Sequence, residues 1–110
     1  MDVFLGSLYC VAFNFAPVGF ALCDGSLLRI SQNTALFSLL GTTYGGDGVT
    51  TFALPDLRGR APIGMGQLPG HPNHVLGEVG GEPVTPGGQH RERITMNWII
   101  ATQGIFPSRQ

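Results

Sequence analysis

In the stretch "TFALPDLRGR", residues 51–60, an aspartate and two arginines fall within five positions: Asp56, Arg58 and Arg60. Such a cluster has three chemical readings: a catalytic corner, a clamp on a polyanion, or an ion-paired brace that stiffens a turn. A catalytic corner needs a second acid or a nucleophile, and none is evident beside it. The chain has no lysine and no serine in a G-x-S-x-G elbow, so Schiff-base and elbow-type acyl chemistry lack their residues. A polyanion clamp needs more cations. The remaining reading is architectural: Phe52, Leu54 and Leu57 plug into a core and Pro55 fixes φ. Asp56 caps backbone amides, and the arginine forks pair with carboxylates or carbonyls.

The histidines are His71, His74 and His90. His71 and His74 are metal-ligand candidates by type, but Pro72 between them works against a helix that would align them, and further ligands would have to come from elsewhere. We therefore expect loop histidines without metal, and no cofactor. The glycine runs "GMGQLPG" and "GTTYGGDG" lack the spacing of a dinucleotide loop and the Gly-Lys-Ser/Thr ending of a phosphate loop. They read as turns.

The elements that must carry these residues are short. Residues 3–12, "VFLGSLYCVA", predict a first strand with Phe4, Leu8, Cys10 and Ala12 on one face, interrupted by Gly6. "FALC" and "SLLRI" flank Asp24-Gly25, a pair favoured in tight turns, and predict a hairpin over about residues 20–30. "SQNTALFSLLG" predicts the single helix, near 31–40, capped by Ser31, closed by Gly41 and buried against the sheet. The closing segment "RITMNWIIATQGIFP" has strand-like composition, with Ile94, Met96, Trp98 and Ile100 on one face and Thr95, Asn97 and Ile99 on the other. Two long irregular segments, 41–48 and 64–88, are of the kind that is functional or lies against a partner. The fold class expected is α+β, mainly β: a small loop-rich domain of short strands with one hairpin and one helix.

Composition narrows the function. Asp, Glu, Lys and Arg make up only 12% of the 110 residues, against 43% apolar, about half the ~25% usual in soluble domains. So low a charge points to much of the surface being covered by other copies or other proteins. Net charge is −1 and all six cations are arginine with no basic stripe, which argues against nucleic acid. The first seventeen residues open with an acid and break their apolar run at Gly6, Ser7 and Asn14, so neither a signal peptide nor a membrane span is expected. Cys10 and Cys23 read as two buried small hydrophobes, with a disulfide as the alternative.

Read as a whole, residues 20–60, "FALCDGSLLRISQNTALFSLLGTTYGGDGVTTFALPDLRGR", resemble the bacteriophage tail-collar domain, shared with the microcystin-dependent protein group. The family's opening "FAFNFAP" is similar to "VAFNFAP" at 11–17, and its closing "NWxIAxQGIFPSR" to "NWIIATQGIFPSR" at 97–109. The resemblance implies a single collar domain over 1–110, with 66–93 a shortened form of the variable region: "GGEPVT" at 80–85 is followed within twelve residues by Asn97, and the histidine-rich insert of longer members is missing. It implies a virion structural protein, a homotrimer within a tail fibre, tip or collar that joins other tail or fibre proteins. Cys23, Asp24 and Gly25 then look like one fold-defining turn, and Pro55, Asp56, Leu57, Arg58, Gly59 and Arg60 like another. Trp98, Ile105 and Phe106 are candidates for the interface between copies. The alternative function is an extracellular self-assembling filament or adhesive module of bacterial origin, an open polymer of the same fold. An enzyme or metal-dependent binder built on the histidines is the third reading.

Overall fold

Four apolar residues in succession, Trp98-Ile99-Ile100-Ala101, cannot be a half-exposed strand, because neighbours on a strand point to opposite faces. In the computed structural model, which describes residues 2–81 and 92–109, they form strand β7 (Asn97–Ala101). Strand β7 takes the centre of a three-stranded antiparallel sheet between β1 (Leu8–Val11) and β2 (Phe20–Leu22). Both faces are covered at Ile99 and Ile100, which are 3% and 1% exposed. The expected alternation therefore does not organise this strand, and Ile94 and Met96 lie outside it and exposed.

A second sheet pairs β3 (Leu27–Arg29) with β4 (Thr51–Ala53), antiparallel. The hairpin expected over residues 20–30 is thus corrected: β2 pairs with β7 and β3 with β4. A tight two-residue hairpin of the Asp-Gly kind needs positive φ at both positions. Here Gly25 has φ +77° but Asp24 does not. Instead the Asp24 carboxylate accepts the Ser26 N–H at 3.1 Å, and the chain crosses from one sheet to the other. A hairpin does occur further on, where β5 (Gly66–Gln67) pairs with β6 (Asn73–His74).

Between β3 and β4 a 3-10 turn (Ile30–Gln32) leads into helix α1 (Thr34–Leu40). Ser31 lies inside the 3-10 turn and does not cap. Asn33 precedes the helix, and its side-chain Nδ2 donates back to the Arg29 carbonyl at 3.0 Å. Gly41 closes the helix at φ +55°, its N–H donating to the Phe37 carbonyl. Only Leu36 of the helix is fully buried. Phe37, Leu39 and Leu40 lie partly covered on the core, and Ala35 is exposed.

The core joins both sheets and the helix: Leu5, Cys23, Leu36, Phe52, Leu54 and Ile100. Phe37 from the helix meets Phe52 with ring centroids 5.4 Å apart. The loop 41–50 is pulled onto β4. The Gly45 carbonyl accepts from Ala53 N–H at 3.0 Å, and a Cβ at Gly46 would stand 2.7 Å from the Thr51 carbonyl oxygen. The segment after β7 also docks by its backbone. Ile105 N–H donates to Val3 O at 2.8 Å and Leu5 N–H to Ile105 O at 2.9 Å, while the Ile105 and Phe106 side chains stay half-exposed.

Candidate functional site

The two sequence turns singled out above are one structural unit. Asp24 and Asp56 form an isolated antiparallel bridge. The Gly25 N–H donates to Pro55 O at 3.3 Å, Leu57 N–H to Cys23 O at 2.9 Å, and Leu54 N–H to Ser26 O at 3.0 Å. Close approach explains the glycine: a Cβ on Gly25 would lie 3.2 Å from the Asp56 Cβ, at a φ that side chains disfavour.

The Asp56 carboxylate is gripped from its own strand end. Arg58 Nε donates to Oδ1 and Arg58 Nη2 to Oδ2, both at 2.9 Å, and the Arg58 backbone N–H reaches Oδ1 at 3.2 Å. Arg60 Nη1 donates to the Asp56 carbonyl at 3.0 Å. The fork from Arg58, together with its backbone amide, holds the Asp56 carboxyl down at about 2, since hydrogen bonds to the ionised form favour it. The same pairing pushes the Arg58 guanidinium upward. With its side chain 72% exposed, Arg58 forms a surface pair. The other acid brought to this corner is Asp24, across the bridge, whose charge also acts on Arg58; its Oδ1 accepts the Ser26 N–H, and the arrangement reads as a stiff, ion-paired corner.

The cysteines part company. Cys10 is exposed and Cys23 buried, and both are free thiols. Cys10 lies opposite Trp98 on one side of β7, and the Cys23 N–H donates to Trp98 O on the other. Two strand spacings place their Cα atoms roughly 10 Å apart, beyond the ~7 Å limit for a bridge. The expectation that both are buried holds only for Cys23, whose thiol burial pushes up to about 12, with the Asp24 charge adding to it.

His71 is exposed and its N–H closes a turn onto Leu68 O at 2.9 Å. His74 sits on β6 and its Nδ1–H donates to Glu78 Oε2 at 2.6 Å. Among the described residues no group of three or more His, Cys, Asp or Glu is placed to hold a metal ion. His90 lies outside the described residues. An open cleft of ≈ 730 Å³ separates the Leu57–Ala61 turn from residues 74–81, lined by Leu57, Arg58, Arg60, Ile63, His74 and Val79 among others.

The interface candidates do not form one patch. Trp98, half-buried on the core, stands at the start of β7 beside Cys10, while Ile105 lies past the end of β7 beside Phe4. Two features were missed in the sequence. Asp47 accepts the N–H groups of Val49, Thr50 and Thr51 on Oδ1 and the Thr50 hydroxyl on Oδ2, all within 2.9 Å, and these bonds lower its pKa strongly. The signal was there in "GGDGVTT", an aspartate followed by small residues and threonines, the composition of a side-chain-capped turn. The second is the apolar exposure of residues 61–79, whose pattern has no regular period to betray it.

No helix among the described residues is long and apolar enough to cross a membrane. No curated protein matches the chain. The family profile of the phage tail collar domain matches residues 6–62, just over half of the chain, and that span contains β1 to β4, the helix and both interlocked turns. The chain therefore belongs to the phage tail collar domain family, a family of tail structural domains rather than of enzymes.

Proposed function

We propose that this tail protein is a self-associating structural element of a fibre, tip or collar, three copies meeting about an axis and joining other tail proteins. Its mechanism is geometric: the fold presents rigid, charge-poor surfaces that bury against neighbours. The observation that carries this reading is surface area. The chain exposes 8366 Å², against roughly 5,900 Å² expected for a folded monomer of this mass. Granting the twelve residues outside the description the full area of extended chain, about 1,900 Å², still leaves roughly 1,100 Å² above the value for the other 98. A standard interface covers ~800 Å² per partner.

The trimer rests on the family resemblance. So does the assignment of 1–110 as one collar unit with 66–93 as its shortened variable region; it is supported by β7, which lies beyond the matched span yet runs between β1 and β2. The interlocked turns at Cys23–Gly25 and Pro55–Arg60 are, on this reading, braces of the fold. Trp98, Ile105 and Phe106, together with Phe4, are surfaces for contact between copies.

A second reading, an open filament, is favoured by the sheet itself. Strands β1 and β2 each leave one edge unpaired within the described residues, and edge contacts that do not close generate polymers. Light scattering combined with negative-stain microscopy of the native protein separates the two. Discrete particles of three chains support the tail trimer, long fibres the filament, and a monomer at 100 µM or so would overturn both.

A further inference from the structure

Six of the eighteen large hydrophobics exposed among the described residues lie in one segment, 61–79. From Ala61 to Gly77 the chain has no Asp, Glu, Lys or Arg over seventeen residues, where a soluble surface segment would carry about four. The same stretch and its continuation expose Ile63 (72%), Met65, Leu68, Val75, Leu76 and Val79 (64%). Within it the β5–β6 hairpin has only two residues per strand, and a lone two-stranded hairpin is marginal in water. Close approach to the body occurs at Gly77, where a Cβ would collide with Thr43. The opposite wall of the segment's cleft is the braced turn with Arg58 and Arg60.

We propose that residues 61–79 form an intersubunit arm whose apolar side chains are covered by a second copy of this chain. The inference rests on the self-association proposed above and adds the surface that makes it. A second copy is the occupant because the chain's surplus area is of the size one interface buries. The charge-free run 61–77 also has nothing with which to steer or register a charged partner. On this reading Arg58, Arg60 and the His74–Glu78 pair form the polar rim around an apolar centre.

The test is the double variant Leu68→Asp, Val75→Asp in the full-length protein. Both positions are exposed in the single chain, so the body should keep its Trp98 emission and its far-ultraviolet circular dichroism. Multi-angle light scattering is expected to show dissociation to monomer at concentrations where the parent is assembled, with affinity weakened at least about 100-fold. A parent assembly cross-linked from mixed light- and heavy-isotope chains should yield linked peptides from residues 61–79 that join the two isotopes. An unchanged particle size for the double variant, or links from 61–79 only within one chain, would overturn the arm while leaving self-association standing. A monomeric parent would overturn both. Retention of a monomeric parent on phosphatidylcholine vesicles would replace the second copy by a lipid surface.

Discussion

Replacing Leu54 by alanine tests whether the core is where the structure puts it. Leu54 has no exposed surface and belongs to the cluster that joins both sheets and the helix. Leu→Ala removes three carbons, worth about 2.4 kcal/mol at ~0.8 kcal/mol each, and adds a term for whatever cavity fails to collapse, about 24 cal/mol per Å³. Collapse is hindered here because the backbone is pinned. Ala53 N–H is held by Gly45 O and Leu54 N–H by Ser26 O, and buried Pro55 follows. The cost therefore falls in the upper part of the 2–5 kcal/mol range for such changes, about 3–5 kcal/mol. For a domain of this size that is a fall in Tm of roughly 12–30 °C and a large share of a total stability of ~5–15 kcal/mol. The assay is urea unfolding followed by Trp98 emission, with parent and variant at one chain concentration so that assembly does not shift the comparison. Leu57→Ala, at a position only partly covered, serves as the control and should cost clearly less. A loss below about 1 kcal/mol for Leu54→Ala would refute the reasoning, since it would mean that Leu54 is not a pinned core residue.

Two further predictions concern the braced turns. The Asp56 carboxyl sits at about 2 in the fold against an ordinary 3.8, so its ionised form favours the folded state. That contribution is complete above pH ~4 and is lost as pH falls through ~2. The gap in Tm between the parent and Asp56→Asn should therefore close between pH 4 and pH 2 and shrink with added salt, as befits an exposed pair; a gap constant across that window would contradict the pairing. Arg58→Ala should reproduce the same pH-dependent loss. Cys23, at about 12, holds roughly a thousandfold less thiolate at pH 8 than an ordinary cysteine. It should resist a thiol reagent in the native protein and react once urea unfolds the chain, while Cys10 and Cys23 stay unlinked under non-reducing mass analysis. Prompt native labelling of Cys23 would count against its burial.

Local chemistry made much of this protein legible from its residues alone. Consecutive apolar runs bounded by Gly, Pro and Asp marked where strands and the helix lie, because turn residues and side-chain periodicity act within a few positions of the chain. The architectural reading of "PDLRGR" was equally local: an aspartate two residues before an arginine can close its own ion pair, and the Asp56–Arg58 fork at 2.9 Å does so. Residues 20–60 were specific enough to point to the collar family, which the match over 6–62 establishes.

Partner choice was decided by the tertiary structure. Asp24-Gly25 looks like a hairpin turn, yet β2 found β7, almost eighty residues away, and β3 found β4 across the helix. Strand β7 has its backbone groups paired on both edges, by β1 and β2, while its consecutive buried isoleucines point to opposite faces of the sheet; both depend on segments far away in the chain. The same pairing put Cys10 and Cys23 on opposite flanks of Trp98, which no spacing in the sequence reveals. The exposure of residues 61–79 is likewise a tertiary fact. Whether an apolar side chain is covered depends on what the rest of the chain has left to pack against it, and here the core closes without that segment.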